Sequence, residues 1–218
     1  PRDYGERTPR REAAAIPADA LVAAFVGDAK SPRKNLDLAL EAVAAAPDDV
    51  HLVVIGDPGD GPYPTLAGTL GVRHRVHFLG ARHDVADWVR ECDVAFCVAH
   101  YDPAPLALLE AMASGLVVIA APGVGNASLI RSGHNGWLLE SSVDAQGAVE
   151  ILRRLHGDRA LVAALGAMAR RTAAEMTWER MAREYEAVYA QVLSEKEGIV
   201  RSALGAGRSL SGATAEAS

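Results

Sequence analysis

The chain has 218 residues, of which 50% are apolar and 23% are charged. This composition is typical of a soluble globular protein with one domain plus extensions, and it excludes a chain that is disordered throughout. The 22 basic and 28 acidic residues give a net charge of −6, which argues against nucleic acid as a partner. The longest apolar run, at 116–122, is far shorter than the roughly 20 residues of a membrane-spanning helix.

Residues 1–19 have mixed charges and begin without an apolar stretch, so they predict a linker or extension rather than a secretory signal peptide. The chain does not begin with Met, which indicates a fragment or a processed protein. Its two cysteines, Cys92 and Cys97, have neither the spacing of a metal site nor that of a disulfide framework. We therefore expect a cytoplasmic protein without a bound metal.

From residue 20 onward, short apolar runs alternate with segments of helical periodicity, a pattern typical of a parallel sheet covered by helices on both faces. The predicted strands are 21–27, 52–56, 76–80, 94–98, 116–120 and 136–139, and the predicted helices between them are 36–46, 65–70, 85–91, 106–114 and 127–131. This order predicts an α/β fold with a doubly wound, six-stranded parallel sheet of Rossmann-like type. Ligands of such sheets bind beyond the carboxyl ends of the strands.

Three further helices are predicted at 143–156, 158–175 and 178 to about 196. The last has an apolar stripe at Met181, Tyr185, Val188 and Val192, which needs a cover, either the chain's own sheet or a second domain. Residues 197–218 are mainly Gly, Ala and Ser and predict a disordered tail. The predicted domain therefore covers 20–196.

Candidate binding residues follow two of the predicted strands. Lys30, Arg33 and Lys34 lie after the first strand and ahead of a helix, where an anion would meet the positive helix end. Asp102 follows the fourth strand, and Pro105 fits the first position of the next helix. A solvated surface loop is the alternative interpretation of these charges.

The helix after Asp102 offers two further groups. The amides of Leu106 and Ala107 stand at its start without an intrahelical partner and suit an oxyanion. Glu110 lies one turn further along, where an ordinary solvent-facing carboxylate is the alternative. The glycine-rich loops at 56–61 and 123–128 do not have the spacing of a dinucleotide-binding motif, and the chain contains no Walker-type phosphate loop.

Several short segments together resemble the donor-binding, C-terminal half of retaining GT-B glycosyltransferases of family 4. They are LEAMASG at 109–115, VVI at 117–119, GHNG at 133–136, FVG at 25–27, KN at 34–35, VIGD at 54–57, VHFLG at 76–80 and TWE at 177–179. The resemblance covers residues 20 to about 193. It implies transfer of a sugar from a nucleotide-sugar donor with retention of configuration, without a cofactor or a metal.

The resemblance also implies partners and roles for single residues. The acceptor is expected on an N-terminal domain that this chain lacks, onto which the family's final helix crosses back. The family's two glutamates, which have seven residues between them, fall on Asp102 and Glu110. Glu110 is thereby expected to accept the ribose hydroxyls and Asp102 to contact the donor sugar, while Lys34 neutralises the departing diphosphate.

Lys34 and Asp102 are thus the predicted catalytic residues. Backbone groups at Gly80, Ala81 and Arg82 match the edge that holds the base. The remaining residues of the predicted donor-binding set are Gly27, Lys30, Arg33, Leu106, Ala107 and Glu110.

Three positions depart from the family pattern. Asp28 replaces a common Arg, Ala104-Pro105 replaces Phe-Gly, and Ser128 replaces Glu. A charge at about 4 Å from the phosphates is worth roughly 4 kcal/mol at an effective dielectric near 20, and proline has no N–H to donate. A degenerate donor domain acting as a binding or scaffold module in glycan assembly is therefore a second interpretation, and a nucleotide-sugar epimerase or a dinucleotide-dependent oxidoreductase is a third.

The missing domain also bears on activity and location. A cleft between two domains positions the acceptor and excludes water, so we expect this chain alone to be inactive or weakly active. Any membrane contact is expected to be peripheral and to belong to the full-length protein.

Overall fold

The computed structural model describes residues 9–211, with side chains up to residue 196. Within this range the strands are β1 (Leu21–Val26), β2 (Val50–Ile55), β3 (Val76–Gly80), β4 (Val94–Cys97), β5 (Val117–Ala120) and β6 (Gly136–Leu138). The helices are α1 (Pro9–Ala13), α2 (Leu36–Ala45), α3 (Tyr63–Thr69), α4 (Val85–Arg90), α5 (Leu106–Ala113), α6 (Ala145–Gly157), α7 (Arg159–Ala174) and α8 (Trp178–Ser211).

The six strands form one parallel sheet in the order β3-β2-β1-β4-β5-β6. The chain moves outward from β1 to β3, returns to the middle of the sheet and moves outward again from β4 to β6. This confirms the predicted doubly wound fold. Phe25 of β1 pairs with Val54 on one side and with Phe96 on the other. The strand order reverses between β1 and β4, so the crevice for a ligand opens at the carboxyl ends of these two strands.

The central strands are buried on both faces, which is why they appear in the sequence as continuous apolar runs rather than as alternating patterns. Leu21, Ala23 and Phe25 of β1 pack on one face, in a cluster that includes residues of α2, α3 and α6. Val22 and Ala24 pack on the other face with residues of α4 and α5. Helix α7 contributes to both clusters.

Part of the predicted N-terminal extension is packed against the sheet. Arg11 of α1 is only 2% exposed. Its guanidinium donates to the carbonyl oxygens of Glu91 and Ala18, at 2.5 and 3.1 Å, and pairs with the buried Asp93 at 3.3 Å. These bonds fix residues 9–19 to the amino end of the sheet. Residues 1–8 lie outside the described part of the chain.

Most predicted strands and helices lie within two residues of their observed bounds, and two segments differ more. The helix predicted at 127–131 is instead a 3-10 turn, Gly125–Leu129. Backbone contacts hold its first residue in place, since Gly125 donates its N–H to Asp102 at 2.8 Å. The segment is also too short to nucleate an independent α-helix.

The second difference concerns the C-terminal end of the chain. The chain divides into two compact units between Ala174 and Glu175, and the extent of the predicted domain, 20–196, stays a prediction. The second unit contains α8, and the predicted disordered tail is helical as far as Ser211 because Ala, Leu and Arg favour helix. Residues 212–218 of that tail lie outside the described residues. The stripe of α8, Met181, Tyr185, Val188 and Val192, is exposed. Within residues 9–211, no helix has both the length and the apolar character of a membrane span.

Candidate functional site

The crevice between β1 and β4 contains a small cavity of about 30 Å³, room for about one water molecule. Lys34, Asp102, Cys97, Pro105 and Ala107 are among the residues that line it. The loops after β1 and β4 thus converge where the topology predicts a ligand. A larger cavity of about 440 Å³ lies near Gly115, Gly166 and Arg170, at the amino edge of the sheet, and no predicted site residue lines it.

Lys34 is held in place by the segment that carries it. Lys34 is the last residue of a 3-10 turn, Pro32–Lys34, which follows β1. The next residue, Asn35, is buried and donates to the carbonyl oxygens of Val98 and Ser142 at 2.9 and 2.6 Å. His100 donates its backbone N–H to the carbonyl of Arg33 at 2.9 Å. The loop after β1 is therefore tied to the loop after β4 on both sides of Lys34.

Asp102 is fixed by the glycine-rich loop at 123–128. Its N–H donates to Gly123 at 3.1 Å, and its carbonyl accepts the N–H of Gly125 at 2.8 Å. A Cβ atom at Gly125 would lie 1.7 Å from the carbonyl oxygen of Pro103, so this close approach requires glycine. The sequence shows the glycines but does not reveal this close approach, because Pro103 lies on a different loop, 22 positions earlier in the chain.

Lys34 and Asp102 form an ion pair between the Nζ and Oδ2 atoms. Both side chains are largely buried, with 21% and 13% of their surfaces exposed. Cys97 lines the same cavity, and burial raises its pKa to about 12, an effect that Lys34 opposes and Asp102 reinforces. The thiol therefore stays protonated near neutral pH and is not a nucleophile.

The other two cations of the loop have different partners. Arg33 donates from Nη1 to the carbonyl oxygen of Tyr101 at 2.6 Å, so it faces the loop after β4 as Lys34 does. Lys30 turns to the loop after β2 and pairs with Asp57 at 2.5 Å. The hydrogen bond and charge of Asp57 raise the pKa of Lys30.

Asp28, where the family commonly has Arg, is exposed and caps its own loop. Its Oδ1 accepts the backbone N–H of Lys30 at 3.0 Å. Gly27, the preceding residue, donates its N–H to Ile55 at 3.0 Å, and a Cβ at this glycine would lie 3.8 Å from Lys34 Cε. Gly27 therefore leaves open space beside Lys34.

Helix α5 begins at Leu106, and Pro105 precedes it in an extended conformation. The prediction that Pro105 is the first helical residue was wrong. Its ψ of 115° is not helical, and its carbonyl accepts the N–H of Leu108, so Pro105 is the residue that caps the start of the helix. The leading amides of Leu106 and Ala107 have no intrahelical acceptor, and Ala107 lines the cavity. Leu106 and Glu110 are exposed one turn apart on the same stripe of α5, outside the cavity lining.

The predicted base edge lies at the end of β3, separated from β1 by one strand. The carbonyl of Gly80 accepts the N–H of Gly56 at 2.9 Å. Arg82 makes a two-pronged pair with Asp84, at 2.6 and 3.0 Å, and lies over the ring of Trp88. Ala81 and Arg82 are exposed. The structure thus brings Lys34, Asp102 and Ala107 together and places Gly80, Ala81 and Arg82 further along the same edge.

Comparison with known proteins gives one family match and several relatives. The family described as glycosyl transferases group 1 matches residues 6–172. D-inositol 3-phosphate glycosyltransferase from Xylanimonas cellulosilytica is 31% identical over 203 residues, which cover 90% of this chain and 48% of that protein. Lipopolysaccharide glucosyltransferase WaaG from Escherichia coli is 31% identical over 126 residues, 56% of this chain and 34% of that protein. The chain spans about half the length of the curated D-inositol 3-phosphate glycosyltransferases it matches.

Solved structures share the fold. The structure of WaaG, a glycosyltransferase of lipopolysaccharide biosynthesis, superposes with a TM-score of 0.70 and 28% identity, over 80% of this chain and 49% of that one. Anabaena Alr3699/HepE in complex with UDP-glucose gives a TM-score of 0.70 at 24% identity, over 79% of this chain and 50% of that one.

Proposed function

The chain belongs to the glycosyl transferases group 1 family, and on that premise we propose that it forms the nucleotide-sugar-binding half of a retaining, family 4 type glycosyltransferase. The acceptor would bind a further domain, in keeping with a chain that spans about half the length of its relatives. Because HepE was solved with UDP-glucose, a UDP-sugar is the first donor to test.

The single observation that supports this function most is the convergence of Lys34, Asp102 and the start of α5 on one crevice at the switch point of the sheet. The Lys34 ammonium and the leading amides of α5 offer positive charge from two sides to a diphosphate. Cleavage of the sugar–phosphate bond leaves more negative charge on the diphosphate than it had before. Lys34 would therefore stabilise the transition state more than the bound donor.

Two carboxylates, those of Asp102 and Glu110, have roles in the proposed complex. The carboxylate of Asp102 would accept hydrogen bonds from the donor sugar, and the exposed carboxylate of Glu110 would accept those of the ribose. Gly80, Ala81 and Arg82 would hold the base through backbone groups. Arg33, which already faces the loop after β4, would add charge beside Lys34, whereas Lys30 is directed to Asp57.

The test is calorimetry of this chain with UDP, GDP and ADP. Binding of at least one of them supports the function, and a folded chain that binds none of them contradicts it.

A degenerate module that binds or organises other components of glycan assembly is the second candidate. It is favoured by Pro105, which has no N–H to offer at the start of α5. Transfer of sugar from any donor at an ordinary enzymatic rate, by a protein that contains this chain and its acceptor domain, would exclude it.

A further inference from the structure

The cation best placed for a diphosphate is already bound to a carboxylate. Lys34 pairs with Asp102 inside the crevice, and the remaining cavity of about 30 Å³ has room for about one water molecule. A diphosphate that binds the ammonium group therefore competes with the Asp102 carboxylate for it, and full transfer of the ammonium group from one to the other is an exchange of anions.

The exchange is confined to side chains. Asn35 and the bond between Gly125 and Asp102 fix the backbone behind each partner. A neighbouring ion pair shows the contrast, because Lys30 and Asp57 are 54% and 55% exposed, and water screens such a pair strongly. Lys34 and Asp102 are largely shielded, so their attraction is a larger obstacle to an incoming anion.

We propose that Asp102 competes with the diphosphate for Lys34 and thereby makes the site select an intact nucleotide sugar over the nucleoside diphosphate. When a diphosphate takes Lys34, the displaced carboxylate needs new hydrogen-bond donors, since a shielded carboxylate without them is costly. Sugar hydroxyls supply such donors, whereas pyrophosphate or a nucleoside diphosphate supplies none at that position. This inference rests on the proposed function.

The same competition acts after transfer. Once the sugar has left, the Asp102 carboxylate loses its hydroxyl partners and returns to Lys34. The nucleoside diphosphate then loses its main cation and dissociates. Asp102 thus couples departure of the sugar to release of the product.

The experiment is calorimetry of the 218-residue chain with inorganic pyrophosphate, UDP and UDP-glucose. Asp102→Asn keeps the shape of the side chain but removes its charge, so we expect it to bind pyrophosphate and UDP about 10-fold more tightly. The Asp102→Asn variant should bind UDP-glucose no more tightly than the unaltered chain does. In a Lys34→Gln background, Asp102→Asn should tighten pyrophosphate and UDP by less than in the unaltered chain, because no ammonium group is left to compete for. In that background it should weaken UDP-glucose, which loses a carboxylate partner for the sugar. Asp102→Ser repeats the test should the Asn variant not fold, as judged by circular dichroism.

The matched control is Asp48→Asn, which changes the net charge equally in the exposed turn before β2, at the amino end of the sheet. If Asp48→Asn tightened pyrophosphate and UDP binding as much as Asp102→Asn, the cause would be the net charge of the chain, and the proposed competition would be overturned. Unchanged or weaker pyrophosphate binding by Asp102→Asn, in a chain that does bind UDP-glucose, would overturn the competition alone. If Asp102→Asn tightened UDP and UDP-glucose equally, the proposed selection of the nucleotide sugar over the nucleoside diphosphate would be overturned. Absence of binding by every variant would overturn the proposed function together with the inference.

Discussion

Lys34 is the side chain on which the proposed donor site depends most. Lys34→Ala should weaken a nucleoside diphosphate roughly 10- to 100-fold, since a charged hydrogen bond contributes about 1.5–3 kcal/mol. The bare nucleoside should bind as before, because the proposed contact of Lys34 is with the phosphates alone. Calorimetry with UDP and uridine measures both. Lys30→Ala is the matched control in the same loop, and its loss should be smaller because Lys30 is directed to Asp57. Equal losses for UDP and uridine would place Lys34 away from the phosphates.

Arg11 has a structural role that its neighbour does not share. Arg11→Ala leaves the buried Asp93 and several carbonyl groups without this guanidinium, so we expect the free energy of unfolding to fall by about 3–5 kcal/mol. Arg10→Ala removes a half-exposed pair with Asp87 and should cost about 0–1 kcal/mol. Urea unfolding of the two variants gives the comparison. Similar losses in the free energy of unfolding for the two variants would show that the buried contacts of Arg11 stabilise the chain no more than the exposed pair of Arg10.

At single residues, the sequence predicts which side chains share an edge but not whom they contact. Lys34, Asp102 and Ala107 follow neighbouring strands, and this alone places them together. The partner of Lys30 depends on a rotamer and on the loop after β2, which no local pattern specifies. The same holds for Asp28, whose charge was expected to oppose the phosphates but whose Oδ1 accepts the N–H of Lys30.

Strands β2 and β3 carry a pair of stacked histidines. His51 Nδ1 and His77 Nε2 are 3.0 Å apart, and one nitrogen donates to the other. Burial, followed by the positive charges of His77 and Arg75, lowers the pKa of His51 to about 4, and burial also lowers that of His77. Both rings are therefore neutral near pH 7.

This pair makes the stability of the sheet depend on pH. Between about pH 6.5 and pH 4 the unfolded chain binds a proton at His51 that the folded chain does not, so the free energy of unfolding falls as the pH falls. We expect the loss from His51 to approach about 3 kcal/mol as the pH falls to about 4. Urea unfolding at about pH 7 and pH 4.5 should show it, and the double variant His51→Gln, His77→Gln should have a flatter profile. An equally steep profile in the double variant would refute this origin.

The loop that holds Asp102 gives a second prediction at this scale. Gly125→Ala would place a methyl group 1.7 Å from the Pro103 carbonyl oxygen, so we expect a loss of about 1–3 kcal/mol in stability together with weaker UDP binding. Gly157→Ala, at the end of α6, meets no atom within 4 Å and should be neutral or slightly stabilising, because alanine favours helix. Thermal unfolding and calorimetry check both variants. Normal UDP binding by Gly125→Ala would separate this loop from the site.

The elements themselves were predicted well where burial leaves a strong pattern. Strands covered on both faces, such as β1 and β2, give apolar runs that are easily recognised. The turn Gly125–Leu129 was predicted as an α-helix because its backbone contacts to the loop after β4 are distant in sequence. The extent of α8 was underestimated since composition alone does not weigh the helix propensity of Ala and Leu.

For the whole molecule, the resemblance to glycosyltransferases was predicted from short motifs and is confirmed by the family match over residues 6–172. The individual motifs are weak, but their order along the chain follows the order of the strands and helices of the fold. The roles of Lys34, Asp102 and Glu110 stay predictions, and the experiments above address them.

The chain alone should bind a donor without turning it over. Without the further domain that we propose for the acceptor, the crevice would be open to water and would have no positioned acceptor. We expect glucose release from UDP-glucose by the 218-residue chain to equal that of its Lys34→Ala variant, as measured by a coupled glucose assay. Release that exceeds this background and depends on Lys34 would mean that the site is complete within these residues.

The two halves of the central ion pair come from positions that are 68 residues apart. Neither β1 with its neighbours β2 and β3, nor the later strands alone, contains both. A partly folded intermediate with only one half of the sheet would bury apolar surface but would lack either Lys34 or Asp102, and with it part of the proposed nucleotide site. We therefore expect capture of a fluorescent nucleotide during refolding to report the pairing of β1 with β4, where the two halves of the proposed site meet, rather than the initial collapse of the chain.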